Sequence, residues 1–262
     1  MVNSEVSNNP RGKNSLTAVR GGDRTRTIAI QIAVAAVLIA LIAAIGISIA
    51  VKQHKKNDNA GATPTVGSSQ ASPSGLTGSI TDKGAIRIGK PGAKSTLNVV
   101  ADLQCPSCKM FESANGQAIT NAVNSGTTTV EYNIIAFLDQ SSQGTRYSSR
   151  AANAAYCVAG SDPGKFLPWL ISMYDQQPEE GSQGLPDGKL VQIAQSAGYT
   201  DPAVAQCITS DKFASFVQKT TQQVLSSGVN STPTVTLNGK QITGQELMTP
   251  NGLQPALEAA GK

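Results

Sequence analysis

At residues 105–108 the sequence reads Cys105-Pro106-Ser107-Cys108, and these two cysteines separated by two residues are its most informative feature. Residues 97–103 before it are apolar and partly β-branched, which predicts a strand. Residues 109–123 after it repeat apolar side chains at helical spacing, which predicts a helix. The apolar face of that helix is predicted to be Met110, Phe111, Ala114, Ala118, Ile119 and Ala122. The pair therefore lies where a strand leads into a helix.

The position of Cys105 at the start of a helix predicts redox chemistry. The free N–H groups and the positive end of the helix dipole favour a thiolate, and a thiolate both attacks a disulfide and leaves from one. Cys108, one turn further along, is predicted to close the disulfide and to be less exposed. The alternative is half of a zinc site. The sequence has no second Cys-x-x-Cys pair, and its single histidine, His54, lies outside the candidate domain. We therefore predict no metal and no organic cofactor.

A long apolar run near the N-terminus predicts a membrane anchor. As a helix, residues 28–51 would extend about 36 Å, which is enough to cross a lipid bilayer. More Lys and Arg residues precede the run than follow it, which favours a cytoplasmic, disordered tail at 1–27. The alternative is a cleaved signal peptide, and the length of the run favours the uncleaved anchor. Both interpretations place the following domain outside the cytoplasm.

The net charge of +4 divides unevenly along the chain. Residues 1–56 hold eight Lys/Arg and two Asp/Glu, a balance of +6, whereas residues 57–262 hold thirteen and fifteen, a balance of −2. The basic excess thus belongs to the flanks of the apolar run and not to the folded part. We predict no nucleic-acid partner.

The two other cysteines, Cys157 and Cys207, lie in separate apolar helical stretches at 151–159 and 202–208. Disulfides persist outside the cytoplasm, and an even number of cysteines favours a structural disulfide between these two. The alternative is two separate buried thiols that act as small apolar side chains.

A linker and one folded domain follow the apolar run. Residues 52–79 are mostly small or polar and predict a flexible linker. Residues 80–262 have the size of a single domain. Helices are predicted within about 140–228, between β elements, which indicates a helical insertion. The predicted strands are 85–88, 95–103, 127–138, 234–237 and 240–243, and the later predicted helices are 146–159, 165–174, 189–197, 202–208, 212–225 and 253–260.

This order of elements resembles the thioredoxin fold, and more closely the DsbA-like disulfide oxidoreductases, in which a helical domain interrupts the thioredoxin fold. Two blocks carry the resemblance: residues 102–108, Asp-Leu-Gln-Cys-Pro-Ser-Cys, and residues 228–239, Gly-Val-Asn-Ser-Thr-Pro-Thr-Val-Thr-Leu-Asn-Gly. They are similar to the family's acidic-aromatic-x-Cys-Pro-x-Cys motif and to its second signature. The expected fold class is α/β, a thioredoxin-like fold with an inserted helical domain, preceded by one transmembrane helix and a flexible linker.

The resemblance also implies a substrate-binding role for Thr232 and Pro233. In the family the Thr-Pro bond is cis and its loop lies beside the active cysteines. The backbone at Thr232 would then pair with an extended substrate peptide as an added strand. An ordinary trans proline that opens an edge strand is the alternative for Pro233.

The resemblance makes Cys105 and Cys108 the catalytic pair and Pro106 and Ser107 the active-site loop between them. Strongly oxidising members often carry histidine where Ser107 stands. A serine hydroxyl brings no positive charge, so we expect a milder oxidant. Asp102 is placed outside the catalytic set, because a residue at a strand end is as readily solvated or helix-capping as it is buried.

Together these features predict an extracytoplasmic, membrane-anchored thiol:disulfide oxidoreductase that introduces disulfides into exported proteins. Its partners would be cysteine-containing client proteins and, by the resemblance, a membrane protein that reoxidises the pair. A reductase or isomerase of the same fold is one alternative, because direction depends on a reduction potential that residue types do not determine. A tethered binding or chaperone module, with a merely structural Cys105–Cys108 bridge, is the alternative from another class.

Overall fold

A computed structural model of the chain describes residues 28, 30, 61–66 and 75–262. Its contacts divide the chain into two units, Met1–His54 and Lys55–Lys262. The predicted tail and almost all of the predicted membrane anchor lie outside the described residues. Among the residues that are described, no helix combines the length and apolar character needed to cross a membrane.

A mixed β-sheet forms the centre of the second unit. Its strands, in the order β1-β2-β4-β3-β5-β6, include a parallel pair, β3 and β4, at the centre, and every other neighbouring pair is antiparallel. The strands are β1 (Thr77–Ile80), β2 (Ile86–Gly89), β3 (Ser95–Ala101), β4 (Thr128–Ile134), β5 (Thr234–Leu237) and β6 (Lys240–Ile242). The predicted hairpin is confirmed as β5 and β6, which pair in register at Val235 and Ile242.

The helix that follows the cysteine pair, α1 (Pro106–Ser125), connects β3 to β4 and completes the predicted strand–helix–strand unit. A block of five helices then separates β4 from β5, as the sequence predicts, and a short helix follows β6. They are α2 (Tyr147–Ser161), α3 (Phe166–Asp175), α4 (Asp187–Ser196), α5 (Pro202–Thr209), α6 (Ala214–Ser226) and α7 (Gln254–Ala260).

Most of the core lies on one face of the sheet, where side chains alternate along the central strands, and a smaller apolar cluster contains Val100, Ile135 and Val224. Val99 on β3 and Tyr132 on β4 are neighbours across the parallel pair, and Val235 on β5 lies beside Val99. All three side chains are fully buried. The alternation favours this register, because a shift by one residue would move all three side chains to the opposite face of the sheet.

The N-terminal boundary of the domain differs from the prediction. Strand β1 begins at Thr77, so the predicted linker at 52–79 is wrong at its C-terminal end. Leu76, just before β1, is buried, and so is Pro64 further upstream. The sequence does not reveal β1 because this edge strand pairs with β2 through its backbone, and only alternate side chains are partly buried.

The strand predicted at 127–138 is also too long, because β4 ends at Ile134. The Ile135 N–H still donates to the Ala101 carbonyl of β3 at 2.9 Å, but at Ala136 and Leu138 the backbone N–H groups bond to side chains. The Ala136 N–H donates to the Thr221 hydroxyl at 3.0 Å, and the Leu138 N–H donates to Asp102 Oδ2 at 2.8 Å. These tertiary partners turn the chain away from the sheet and towards the helical block.

A disulfide joins Cys157 on α2 to Cys207 on α5, which is the pairing that the sequence favours over two separate thiols. The bridge lies wholly within the helical block. Asn153, one turn before Cys157, also joins the two helices, since its side-chain amide donates to the carbonyls of Cys207 and Ile208 at 3.4 and 3.3 Å.

Candidate active site

Cys105 is the N-cap residue of α1, and Pro106 begins the helix. Proline suits this place because its fixed φ matches a helix and the first turn has no partner for the N–H that it lacks. Cys105 is 8% exposed and Cys108 is fully buried, so the predicted order of exposure is confirmed. Pro106 and Ser107 between them are exposed, and the two thiols are not bonded to each other. An approaching partner therefore meets the loop and the sulfur of Cys105 first.

The two thiols differ sharply in acidity. The pKa of Cys105 is lowered to about 6, mainly by a hydrogen bond from the Cys108 thiol, and less by the Thr232 side chain and the N–H groups of Cys108 and Ser107; burial opposes this effect. Burial raises the pKa of Cys108 well above its usual value, and the adjacent Cys105 raises it further. At neutral pH the pair thus consists of a Cys105 thiolate and a Cys108 thiol.

Thr232 lies directly beside the pair, and its bond to Pro233 is cis, as the resemblance implies. The Cys105 thiol donates to the Thr232 carbonyl at 3.4 Å. Among the described residues, the buried Thr232 hydroxyl has no hydrogen-bond partner. A hydrogen bond from this hydroxyl to the sulfur in its thiolate form lowers the pKa of Cys105 and that of Cys108. This hydroxyl, which the sequence did not single out, is therefore available to donate to the Cys105 thiolate.

Asp102 is fully buried, so of the alternatives that the sequence left equally open the structure has the buried acid and not the solvated or helix-capping residue. Its Oδ1 accepts from the Gln104 N–H and from the Ser148 hydroxyl, both at 2.8 Å, and its Oδ2 accepts from the Leu138 N–H. Burial raises the pKa of Asp102 to about 6 against the effect of these bonds, and the charge of Cys105 adds to the rise. Asp102 thus belongs to the site as a titratable group coupled to Cys105.

A second buried carboxyl, Glu112, follows Cys108 by one helical turn on the same face of α1. Its Oε1 accepts from the Tyr132 hydroxyl at 2.8 Å, and burial raises the pKa of Glu112 to about 7. The predicted apolar face of α1 is correspondingly shifted, because Met110 is 56% exposed whereas Glu112 and Asn115 are buried. The available signal was an acidic residue four positions after the second cysteine, which places it on the buried side.

The helical block holds the turn that carries Cys105. The Gln177 side-chain amide, just after α3, donates to the carbonyls of Leu103 and Cys105 at 3.1 and 3.0 Å. Gln104 is fully buried and donates to the Ser182 carbonyl at 3.4 Å. In the described part of the chain, no cluster of three or more His, Cys, Asp or Glu side chains is arranged to hold a metal ion. The site therefore consists of two thiols and two buried acids within a rigid frame.

Comparison with known proteins identifies similar folds and sequences. The profile of the family described as Thioredoxin matches residues 81–259. The reduced DsbA of Mycobacterium tuberculosis has a similar crystal structure, with a TM-score of 0.54 and 30% identity over 67% of this chain and 98% of that chain.

Two curated proteins have similar sequences. Disulfide bond formation protein D of Bacillus subtilis is 26% identical over 162 residues, which covers 61% of this chain and 70% of that protein. The serine/threonine-protein kinase PknE of Mycobacterium tuberculosis is 32% identical over 127 residues, which is 47% of this chain. The match spans only 22% of the length of the kinase.

Proposed function

The chain belongs to the thioredoxin-like DsbA family of thiol:disulfide oxidoreductases, and from this premise we propose that it is a membrane-anchored, extracytoplasmic enzyme that introduces disulfides into exported proteins. The observation that carries the proposal is the unequal pair of thiols. An acidic Cys105 at a helix N-terminus is a good leaving group, which favours passing the disulfide on to another protein. The buried Cys108 remains behind as the thiol that closes the ring again.

In this mechanism, a client thiolate attacks the sulfur of Cys105 in the oxidised enzyme. The client–Cys105 bond forms, the Cys105–Cys108 bond breaks, and its electron pair goes to Cys108, which takes up a proton. A second client thiolate then attacks the client sulfur of the mixed disulfide, and Cys105 leaves as a thiolate stabilised by the helix N-terminus and by Thr232. A membrane partner would return the pair to the disulfide by accepting its two electrons.

Client binding is proposed to use the loop at Thr232 and Pro233. An extended peptide that pairs with the Thr232 backbone would hold its cysteine next to Cys105, because the Thr232 carbonyl lies 3.4 Å from that sulfur. Backbone pairing is independent of the client's side chains. It therefore suits an enzyme that acts on many different exported proteins.

Location outside the cytoplasm is supported by the Cys157–Cys207 disulfide, a kind of bond that is rare in the cytosol. The apolar run at 28–51 supplies the proposed anchor. Protease treatment of intact spheroplasts should remove the folded domain while leaving cytoplasmic proteins intact. Protection of the domain until the membrane is broken would contradict this location.

The reduction potential against glutathione tests the direction of exchange. We expect a value between those of thioredoxin, about −270 mV, and of the strongly oxidising DsbA, about −120 mV, because Cys105 is acidic but Ser107 adds no positive charge. A value at or below that of thioredoxin would instead favour the reductase or isomerase. The measurement uses the purified chain and needs no knowledge of its clients.

Trapping of mixed disulfides separates the enzyme from a passive binding module. Replacement Cys108→Ala removes the thiol that can attack Cys105 in a mixed disulfide and return the client to its reduced form, so disulfide-linked adducts should accumulate in cells. Replacement Cys105→Ala is the matched control and should yield none. If neither variant forms adducts that reducing agents dissolve, the exchange mechanism is wrong and a binding module is favoured.

A further inference from the structure

A short segment upstream of the sheet, residues 61–66, packs onto the domain although its sequence belongs to the predicted linker. We propose that this segment, the strap, joins the chain to the domain ahead of β1 and thereby shortens the length of chain between the membrane and the redox site. The proposal rests on the proposed membrane anchoring and deepens it, because the strap limits how far from the bilayer Cys105 can act.

Burial along the strap alternates from one residue to the next. Ala62 packs against the main core, Pro64 is buried and Val66 is half-buried, whereas the residues that alternate with them are exposed. A period of two is that of an extended chain with one face covered. Proline fixes its own φ and disfavours a helical conformation at the residue before it. Pro64 therefore prepares this segment for an extended conformation.

The strap lies between the edge strand β1 and the helical block. A Cβ added at Gly78 on β1 would lie 3.1 Å from Val66 Cγ1. One added at Gly160, near the end of α2, would lie 3.3 Å from the Thr65 carbonyl oxygen. The first four residues of the strap line a cavity together with Phe216 on α6. The strap therefore contacts the sheet on one side and the helices on the other.

The strap meets the domain at the edge of the sheet that carries the cysteine loop. β1 is antiparallel to β2, β2 is antiparallel to β4, and β4 is parallel to β3, so β1 and β3 run in the same direction. Ile80 ends β1 and Ala101 ends β3, four residues before Cys105. Ile80 lines the same cavity as the first half of the strap. Three strand spacings separate β1 from β3, which corresponds to about 14 Å.

The length of chain ahead of the strap gives the consequence of this packing. Nine residues, 52–60, separate the apolar run from the strap, and they span at most about 30 Å when fully extended. Without the strap, 25 residues, 52–76, would separate the run from β1 and would span up to about 85 Å. A shorter tether raises the effective concentration of Cys105 towards partners at the membrane. Both exported clients and a reoxidising membrane protein are partners of this kind.

Hydrogen exchange of the full chain in detergent tests whether the strap is packed on the domain. Replacement Pro64→Asp places a charge at a buried position, so it should release the strap and speed amide exchange along β1 about tenfold or more. Thr63→Asp is the matched control, because it adds the same charge at the neighbouring exposed residue, and it should leave exchange unchanged. Equal exchange rates in the two variants would overturn the proposal.

Energy transfer tests the shortened tether. The full chain with Cys108→Ala is placed in phosphatidylcholine vesicles that carry an acceptor on the lipid headgroups, and Cys105 is labelled with a membrane-impermeant maleimide donor. A ten-residue Gly-Ser insertion adds about 17 Å of root-mean-square length. Inserted after residue 58, ahead of the strap, it should clearly lower the transfer efficiency. Inserted after residue 70, behind the strap, it should leave the efficiency unchanged, because that part of the chain lies outside the tether.

The outcomes separate the strap from the anchor. Equal loss of transfer in both insertion variants would overturn the strap, and so would no loss in either. When Pro64→Asp is also present, both insertions should lower the transfer. If Pro64→Asp does not fold, the two insertions decide alone. A full chain that does not float with the vesicles would overturn the proposed anchoring instead, and hydrogen exchange would still decide whether the strap is packed on the domain.

Discussion

Two cysteines that are three residues apart acquire opposite acidities from their surroundings. The Cys105 sulfur lies at the N-terminus of α1 and receives hydrogen bonds, which lower its pKa to about 6. Cys108 is sealed in the core, and burial raises its pKa. The acidity of the two thiols is therefore set by neighbouring groups, and one of these groups, the Thr232 hydroxyl, can be tested by a single substitution.

Replacement Thr232→Val should raise the pKa of Cys105. Valine keeps the shape of threonine but lacks the hydroxyl that favours the thiolate, so we expect a rise of up to about 1 unit from the value near 6. The rate of alkylation of the reduced protein as a function of pH reports this pKa. Ser231→Ala, at the exposed neighbouring residue, is the control and should leave the titration unchanged. An unaltered titration in Thr232→Val would show that the hydroxyl does not contact the thiolate.

Replacement Glu112→Gln should change the pH dependence of stability. In the unfolded chain Glu112 ionises near pH 4.5, but in the folded protein it ionises near pH 7. Between these values the unfolded chain binds fewer protons, so the wild-type protein loses about 3 kcal/mol of stability as pH rises. Glutamine does not titrate and escapes this loss. Urea unfolding of the oxidised proteins should therefore show a stability difference that moves in favour of the variant across this range and is constant above it. If the free energies of unfolding of the two proteins change with pH in the same way, the raised pKa of Glu112 is contradicted.

At the scale of elements, the cysteine loop depends on both halves of the domain. The strand–helix unit β3–α1 supplies the helix N-terminus. The helical block forms hydrogen bonds with residues 102–105, the turn before α1. Gln177 and Ser148 of the helical block donate to that turn, and Gln104 within the turn donates to the Ser182 carbonyl of the block. The insertion thus acts as a clamp on residues 102–105.

Replacement Gln177→Ala should loosen this clamp. It removes two half-buried hydrogen bonds, each with a net contribution of about 1 kcal/mol, so the free energy of unfolding should fall by about 1–2 kcal/mol. Urea denaturation measures the change. The matched control is Gln176→Ala at the preceding, exposed residue, whose amide bonds only to Ser172 within the same helical segment. Equal effects of the two replacements would argue against a specific clamp.

Two features stabilise the domain as a whole, an apolar core and a disulfide. A continuous apolar core joins the sheet, α1 and the helical block. Within the block, the disulfide closes a loop between residues 157 and 207, which are 50 positions apart. Because it joins two helices of the block, α2 and α5, we expect it to stabilise the helical block.

Replacement of both Cys157 and Cys207 by alanine should destabilise the domain without abolishing exchange. A loop of this length corresponds to about 4 kcal/mol of unfolded-state entropy. Thermal unfolding should therefore show a clearly lower Tm, while the glutathione exchange of Cys105 persists at temperatures where the variant is folded. A Tm that is unchanged, or exchange that is lost in the folded variant, would contradict this division of roles.

Much of the fold follows from local sequence alone. The spacing of Cys105 and Cys108, the apolar strand before them and the helical pattern after them are all short-range signals, and so is the Asn238-Gly239 turn of the last hairpin. The pairing of Cys157 with Cys207 was predicted from an even cysteine count and from the expectation of an exported chain. Helix positions were predicted well because their apolar periodicity is regular.

Local sequence thus predicts which two thiols form the site and on which element they lie, because the strand, the loop and the helix that carry them are consecutive in the chain. The raised pKa values of Asp102 and Glu112 and the hydrogen bonds of Gln177 follow only from the tertiary structure. A carboxyl or an amide looks the same in a sequence whether it faces water or the core. Its pKa and its partners depend on which distant strands and helices close over it, and burial there comes from β4, α2 and α3, far along the chain.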